Sequence, residues 1–141
     1  MREYKFRGKS SYKGKWVFGS LDTAGFVPAK IRWLDKDGLT PMITEVDPET
    51  VGQYTGLRDC KKREIYEGDI VKVTSYGEET FHIVKYMLDL DYAGFDLDPY
   101  LCDDCNSLSY SVCDYETKIL VIGNIYDNPE LAEKCKRQVC D

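Results

Sequence analysis

The sequence predicts a mainly β molecule, a small barrel or sandwich with an N-terminal β-hairpin and one short C-terminal helix. Three observations lead there. Short apolar–polar alternations separated by Gly, Pro and Asp turn signals recur along the 141 residues. Aromatic residues make up 13% of the chain, eleven of them tyrosines, and flat rings suit a pleated, half-buried surface. A helix-start signal followed by an amphipathic run comes only near the C-terminus.

The elements follow in order. Residues 3–8 alternate, with Tyr4 and Phe6 on one face and Lys5 and Arg7 on the other. Residues 9–14 read as a turn, and Trp16 to Leu21 as the returning strand. Lys30 to Leu34 and Met42 to Val46 flank the turn Asp35–Gly38. Asp47-Pro48-Glu49-Thr50 opens a helix, with Asp47 as cap and Pro48 at the first position, but Gly52 limits it to one turn. Glu67-Gly68-Asp69 is a tight turn into a strand over 70–73, an arrangement similar to small SH3-like barrels, so the 65–125 region is expected to have that character. Phe81 to Tyr86 forms another strand. Leu88, Leu90, Phe95 and Leu97 alternate with Asp89, Asp91, Asp96 and Asp98, which predicts a hairpin turning at residues 92–94 with a wet acidic face. Residues 98–108 read as an exposed loop, and Ser109 to Asp114 and Lys118 to Gly123 as two last strands. Asp127-Asn128-Pro129-Glu130 starts the final helix, with Leu131, Ala132, Cys135 and Val139 on one face. The expected divisions are 1–46, 47–127 and 128–141, within one domain.

Charge is segregated. The net charge is −6, which disfavours non-specific nucleic-acid binding by the whole molecule. Residues 1–36 nevertheless carry nine Lys or Arg against three acids, and no basic residue lies between Lys85 and Lys118. The densest apolar run, Ile119 to Ile122, is far too short to span a bilayer, and the N-terminus lacks a signal-peptide pattern. A cytoplasmic protein is expected, with its six cysteines reduced.

Two long motifs carry a family resemblance. They are Val46-Asp47-Pro48-Glu49-Thr50-Val51-Gly52-Gln53-Tyr54-Thr55-Gly56-Leu57, continued by Arg58-Asp59 and Glu64-Ile65-Tyr66-Glu67-Gly68-Asp69-Ile70-Val71, and Leu120-Val121-Ile122-Gly123-Asn124-Ile125-Tyr126-Asp127-Asn128-Pro129-Glu130-Leu131. With the start Arg2-Glu3-Tyr4-Lys5-Phe6-Arg7, they resemble the YopX family. The resemblance implies a phage or prophage gene in a bacterial host and a β-rich fold, and brings no established activity. It departs at Cys60-Lys61-Lys62-Arg63, where the family has a Lys-Asn-Gly-Lys-type turn. Without glycine a positive φ is costly there, so a reshaped loop is expected.

Several residue sets invite chemistry. Gln53, Tyr54 and Thr55, bounded by glycines, suggest a ligand-presenting loop, or else a tyrosine plugging the core. Lys5, Arg7, Lys9, Lys13 and Lys15 alternate with Tyr4, Phe6, Tyr12 and Trp16, as in surfaces that stack bases and meet phosphates, or in any half-buried hairpin. Cys102 and Cys105 have the spacing of half a zinc site. Cys113 would be a third ligand, and Cys60, His82, Cys135 or Cys140 a fourth, but the second Cys-x-x-C of a zinc ribbon is missing. His82, the single histidine, alternates inside a strand and has no nucleophile assigned by sequence. The reading is a non-catalytic, non-enzymatic binding or protein-interaction module without cofactor, metal or membrane. Self-association or a protein partner is expected. Nucleic-acid binding through the basic hairpin and zinc binding are the alternatives.

Overall fold

The computed structural model describes residues 3–23, 28–87, 93–99 and 106–137. The chain divides into two compact units, Met1–Tyr54 and Thr55–Asp141.

In the first unit β1 (Phe6–Lys9) and β2 (Trp16–Asp22) form the expected hairpin, with Phe6 opposite Gly19 and Lys9 opposite Trp16. Its turn is fixed by Gly14 at φ +66° and by Ser10 Oγ, which accepts the Tyr12 and Lys13 N–H groups. β3 (Lys30–Leu34) and β4 (Pro41–Glu45) form a second hairpin, closed by Asp35 N–H donating to Thr40 C=O. A single 3-10 turn, Pro48–Thr50, follows, and the Asp47 carboxylate accepts the Glu49 N–H at 3.0 Å. Thr50 Oγ1 then accepts the Lys9 N–H at 2.9 Å, tying the turn to β1. The sheet runs β4-β3-β2-β1-β5, where β5 (Gly52–Arg58) begins beside β1 and its chain continues past Tyr54. Ile31 and Val46 are its fully buried aliphatics.

The second unit is an open antiparallel sheet of order β10-β7-β8-β9. Its strands are β7 (Asp69–Ser75), β8 (Glu78–Tyr86), β9 (Phe95–Asp98) and β10 (Thr117–Asn124), and β6 (Glu64–Tyr66) precedes the turn at Gly68. Alternation sends Val71, Val73, Val84, Leu97 and Ile119 to one face, where Ile65 and Leu108 join them. Ile70 and Ile83 go to the other face, under Cys135 and Leu131 of the C-terminal helix α2 (Pro129–Arg137). Each fully buried aliphatic is worth about 1.5–3 kcal/mol. The mainly β class therefore holds, with open sheets among the described residues.

Three sequence expectations change. Ser109 to Asp114 is not a strand: Ser107–Cys113 is the helix α1. Leu108 and Val112, four residues apart, turn to the core. Asp96 is not on a wet face either. It is fully buried and its carboxylate accepts the N–H groups of Leu97, Asn106 and Leu108 at 2.8–3.0 Å. It thereby caps α1 from another element, and α1 has no cap bond of its own at Asn106. Ser107 and Leu108 are correspondingly buried rather than part of an exposed loop. The predicted strand and turn at 88–92 lie outside the described residues.

Candidate functional site

Gln53, Tyr54 and Thr55 do not form a loop. They sit in β5, with Tyr54 4% exposed. The Tyr54 N–H donates to Lys5 C=O at 2.8 Å, and Thr55 Oγ1 donates to Ile65 C=O at 2.8 Å. Backbone pairing and burial commit this segment to the sheet.

The basic front is also partly consumed. Lys5, just before β1, and Arg7 and Lys9 within it do alternate, but rings cover them. The Arg7 guanidinium lies 4.6 Å from the centre of the Trp16 ring and Lys9 Nζ lies 5.8 Å from it, while Lys5 Nζ is 5.7 Å from the Tyr54 ring and 3.1 Å from Glu3. Arg7 is only 6% exposed and so leaves the candidate basic surface. The supposed apolar face has Tyr4 in solvent. Lys13 and Lys15 remain exposed.

His82 is 2% exposed. Its Nδ1 lies 2.5 Å from Pro99 C=O and its Nε2 2.7 Å from Thr80 Oγ1, so both ring nitrogens are used structurally. Burial pushes its pKa below the ordinary 6.5, against the hydrogen bond to Pro99 and the charge of Asp98, which act to raise it. A histidine kept neutral in the fold contributes stability that is complete above about pH 6.5 and is lost as pH falls towards the lowered value. The melting temperature should therefore fall between about pH 7 and about pH 5, and the part due to this group should vanish in His82→Gln. An unaltered pH profile in that variant would count against the assignment.

Cys60 and Cys113 are exposed, and Cys135 is buried, its thiol pKa raised by burial. Cys102, Cys105 and Cys140 lie outside the described residues. Among the described residues no three His, Cys, Asp or Glu side chains gather where a metal could sit.

What sequence reasoning missed is the outer face of β2, β3 and β4. The register places Phe18 and Ser20, Arg32 and Leu34, and Pro41 and Ile43 on one side of the sheet. Phe18 is 46% exposed, Leu34 59% and Ile43 51%. A shallow groove of about 510 Å³ is lined by Ser20, Arg32, Leu34, Pro41 and Ile43 together with Trp33 and Met42. Arg32 is held beside it by Asp22, whose Oδ2 accepts from Nε at 3.1 Å and Nη2 at 2.8 Å. Strand alternation was legible for β2 and β3. The openness of their outer face was not, because the conspicuous signal, the run of cations, belongs to β1.

The link at Cys60–Arg63 is the other feature of consequence. Lys62 stands at φ +67°, so the positive φ is kept without glycine. Asp59 makes this tolerable: its side chain is fully buried, Oδ1 accepts the Lys61 and Arg63 N–H groups at 2.9 Å, and Oδ2 accepts the Val121 N–H at 3.1 Å.

The YopX protein family matches residues 5–133. The chain belongs to that family. A crystal structure of an Enterococcus faecalis protein is similar over 93% of this chain and 99% of its own, at 23% identity and a TM-score of 0.56, which supports the fold alone. No curated protein matches the sequence. The YopX motifs now have structural meaning. Residues 47–58 make the 3-10 turn and β5, residues 64–71 make β6, its turn and the start of β7, and residues 120–131 carry β10 into α2. In that last YopX segment Asn124 Oδ1 accepts the Tyr126 and Asp127 N–H groups, while Asn128 Oδ1 accepts the Asn124 N–H. Among the described residues no helix of this YopX-family chain is long and apolar enough to cross a membrane.

Proposed function

We propose that the protein is a non-catalytic interaction module of a phage or prophage, working in the bacterial cytoplasm and binding a protein through the outer face of β2, β3 and β4. The observation that carries this reading is the exposed strip Phe18–Leu34–Ile43 with Pro41. Apolar side chains gathered on one sheet face, rimmed by an arginine, are the composition of an interface core and its polar edge. The non-catalytic part is supported by the commitment of His82 to two structural contacts.

A Leu34→Asp/Ile43→Asp variant tests it. Both side chains are already in solvent, so the fold should persist, with melting temperature within a few degrees of wild type. Light scattering over a concentration series reads self-association, and capture from lysogenic cells reads a second protein. The variant should lose whichever complex the wild type forms, by at least about ten-fold in affinity. A wild type that stays monomeric and captures nothing, or a variant that binds as wild type does, refutes the reading.

A further inference from the structure

The link between β5 and β6 carries positive charge that the proposed protein-binding face does not use. Arg58, Lys61, Lys62 and Arg63 fall within six residues, and the acid among them, Asp59, is buried. The link lies along the outer edge of β10. Cys60 N–H donates to Ile119 C=O at 3.0 Å, Asp59 takes the Val121 N–H, and Arg63 Nη2 donates to Val121 C=O at 3.0 Å. Those edge groups are satisfied, so the lysines are not required there to repel another strand. Arg58 is engaged with Lys62 C=O and Glu64, and Arg63 with Asp59. Lys61, Lys62 and, on β10, Lys118 are exposed and have no ion pair among the described residues.

Lys62 also occupies a conformation where glycine is the less strained residue. The turn thus holds a cation where its absence would stabilise the fold. Just before β10 begins, Tyr115 is 100% exposed, and the pairing of Thr117 with Ser75 brings Tyr76, 82% exposed, to the same end. Exposed rings and unpaired cations at one end of a strand are what single-stranded nucleic acid needs: bases stack while phosphates meet lysines. The unit as a whole is acidic, since residues 55–141 hold ten basic and eighteen acidic residues, a net −8. The positive island is therefore local, and the exposed Glu116 lies between Tyr115 and Lys118.

We propose that Lys61, Lys62, Lys118 and Tyr115 form a contact surface for single-stranded nucleic acid. The site is independent of the protein-interaction face. It also differs from the N-terminal hairpin, whose inner cations are held by rings.

The test is fluorescence anisotropy of a labelled oligothymidylate with the full chain. With about 0.7 log units of salt dependence per phosphate, three lysine contacts give roughly a twenty-fold loss of affinity from about 50 to about 200 mM salt. Lys61→Glu/Lys118→Glu should abolish binding, and Glu116→Lys should tighten it several-fold. Lys62→Gly should weaken binding while raising the melting temperature, a pairing that a merely structural lysine would not give. No binding by the wild type at low salt, equal competition by inorganic phosphate at matched ionic strength, or one affinity across all variants overturns the proposal. Loss of the protein complex in the Leu34/Ile43 variant leaves this readout untouched, so the two ideas fail separately.

Discussion

Asp59→Ala is expected to destabilise the protein by about 3–5 kcal/mol. The carboxylate is fully buried and accepts three backbone N–H groups, from Lys61, Arg63 and Val121, besides meeting Arg63 Nε at 3.3 Å. Alanine removes the one acceptor that these three donors share, at about 1–3 kcal/mol for a donor left buried and less for those of the exposed Lys61 and Arg63. Lys62 then holds φ +67° without the hydrogen bonds that compensate it. Asp59→Asn separates charge from shape. Its oxygen can keep the Lys61 and Arg63 bonds, but its NH₂ would face the Val121 N–H, so about half the loss should remain. Burial acts to raise the Asp59 pKa, and the hydrogen bonds of Val121, Arg63 and Lys61 with the charge of Arg63 outweigh it, holding the group below the ordinary 3.8. Its contribution is therefore complete above about pH 3.8 and disappears as pH falls through the lower folded value. Urea titration reads the loss, and a change under about 1 kcal/mol in Asp59→Ala would show that the hub is dispensable.

Gly19→Ala should be comparably damaging in the other unit, about 3 kcal/mol or more. A Cβ at Gly19 would run into the Arg32 carbonyl oxygen and come to 2.9 Å from its carbonyl carbon. Those atoms are backbone, held by the pairing of β2 with β3, and cannot swing aside as a side chain would. Gly14 supplies the contrast. It has φ +66° and open space where a Cβ would stand, so alanine there costs only the conformational penalty of about 1 kcal/mol. Both tryptophans, Trp16 and Trp33, belong to residues 1–54. Their fluorescence therefore follows this unit directly. Equal losses at Gly19 and Gly14 would mean that sterics is not the cause.

The legible parts of the fold were those governed by neighbours in sequence. The 9–14 and 35–38 turns, the Asp47 cap and the helix after Asn128 all depend on residues within about four positions, and each was placed correctly. α1 was misread because its deciding partner, Asp96, lies ten or more residues away and reads in sequence as one more solvated acid. Tyr110 and Val112 suit a strand equally well, so tertiary capping overrode local preference. How far the basic hairpin is covered was hidden for a related reason. Alternation correctly gave Arg7 and Lys9 a common face, but it could not show that Trp16 occupies that face. The apolar strip on β2, β3 and β4 went unseen because exposure is a property of what does not pack there, which no single strand encodes.

The cap that Asp96 lends to α1 also sets an order in time. Seven residues without a side-chain cap at their N-terminus are well below the length at which a helix persists alone in water. α1 should consequently coil only after β9 has delivered the carboxylate, late on the route from the denatured chain. A synthetic peptide spanning it should be unstructured by circular dichroism, and substitutions on its surface should speed unfolding while leaving the refolding rate unchanged.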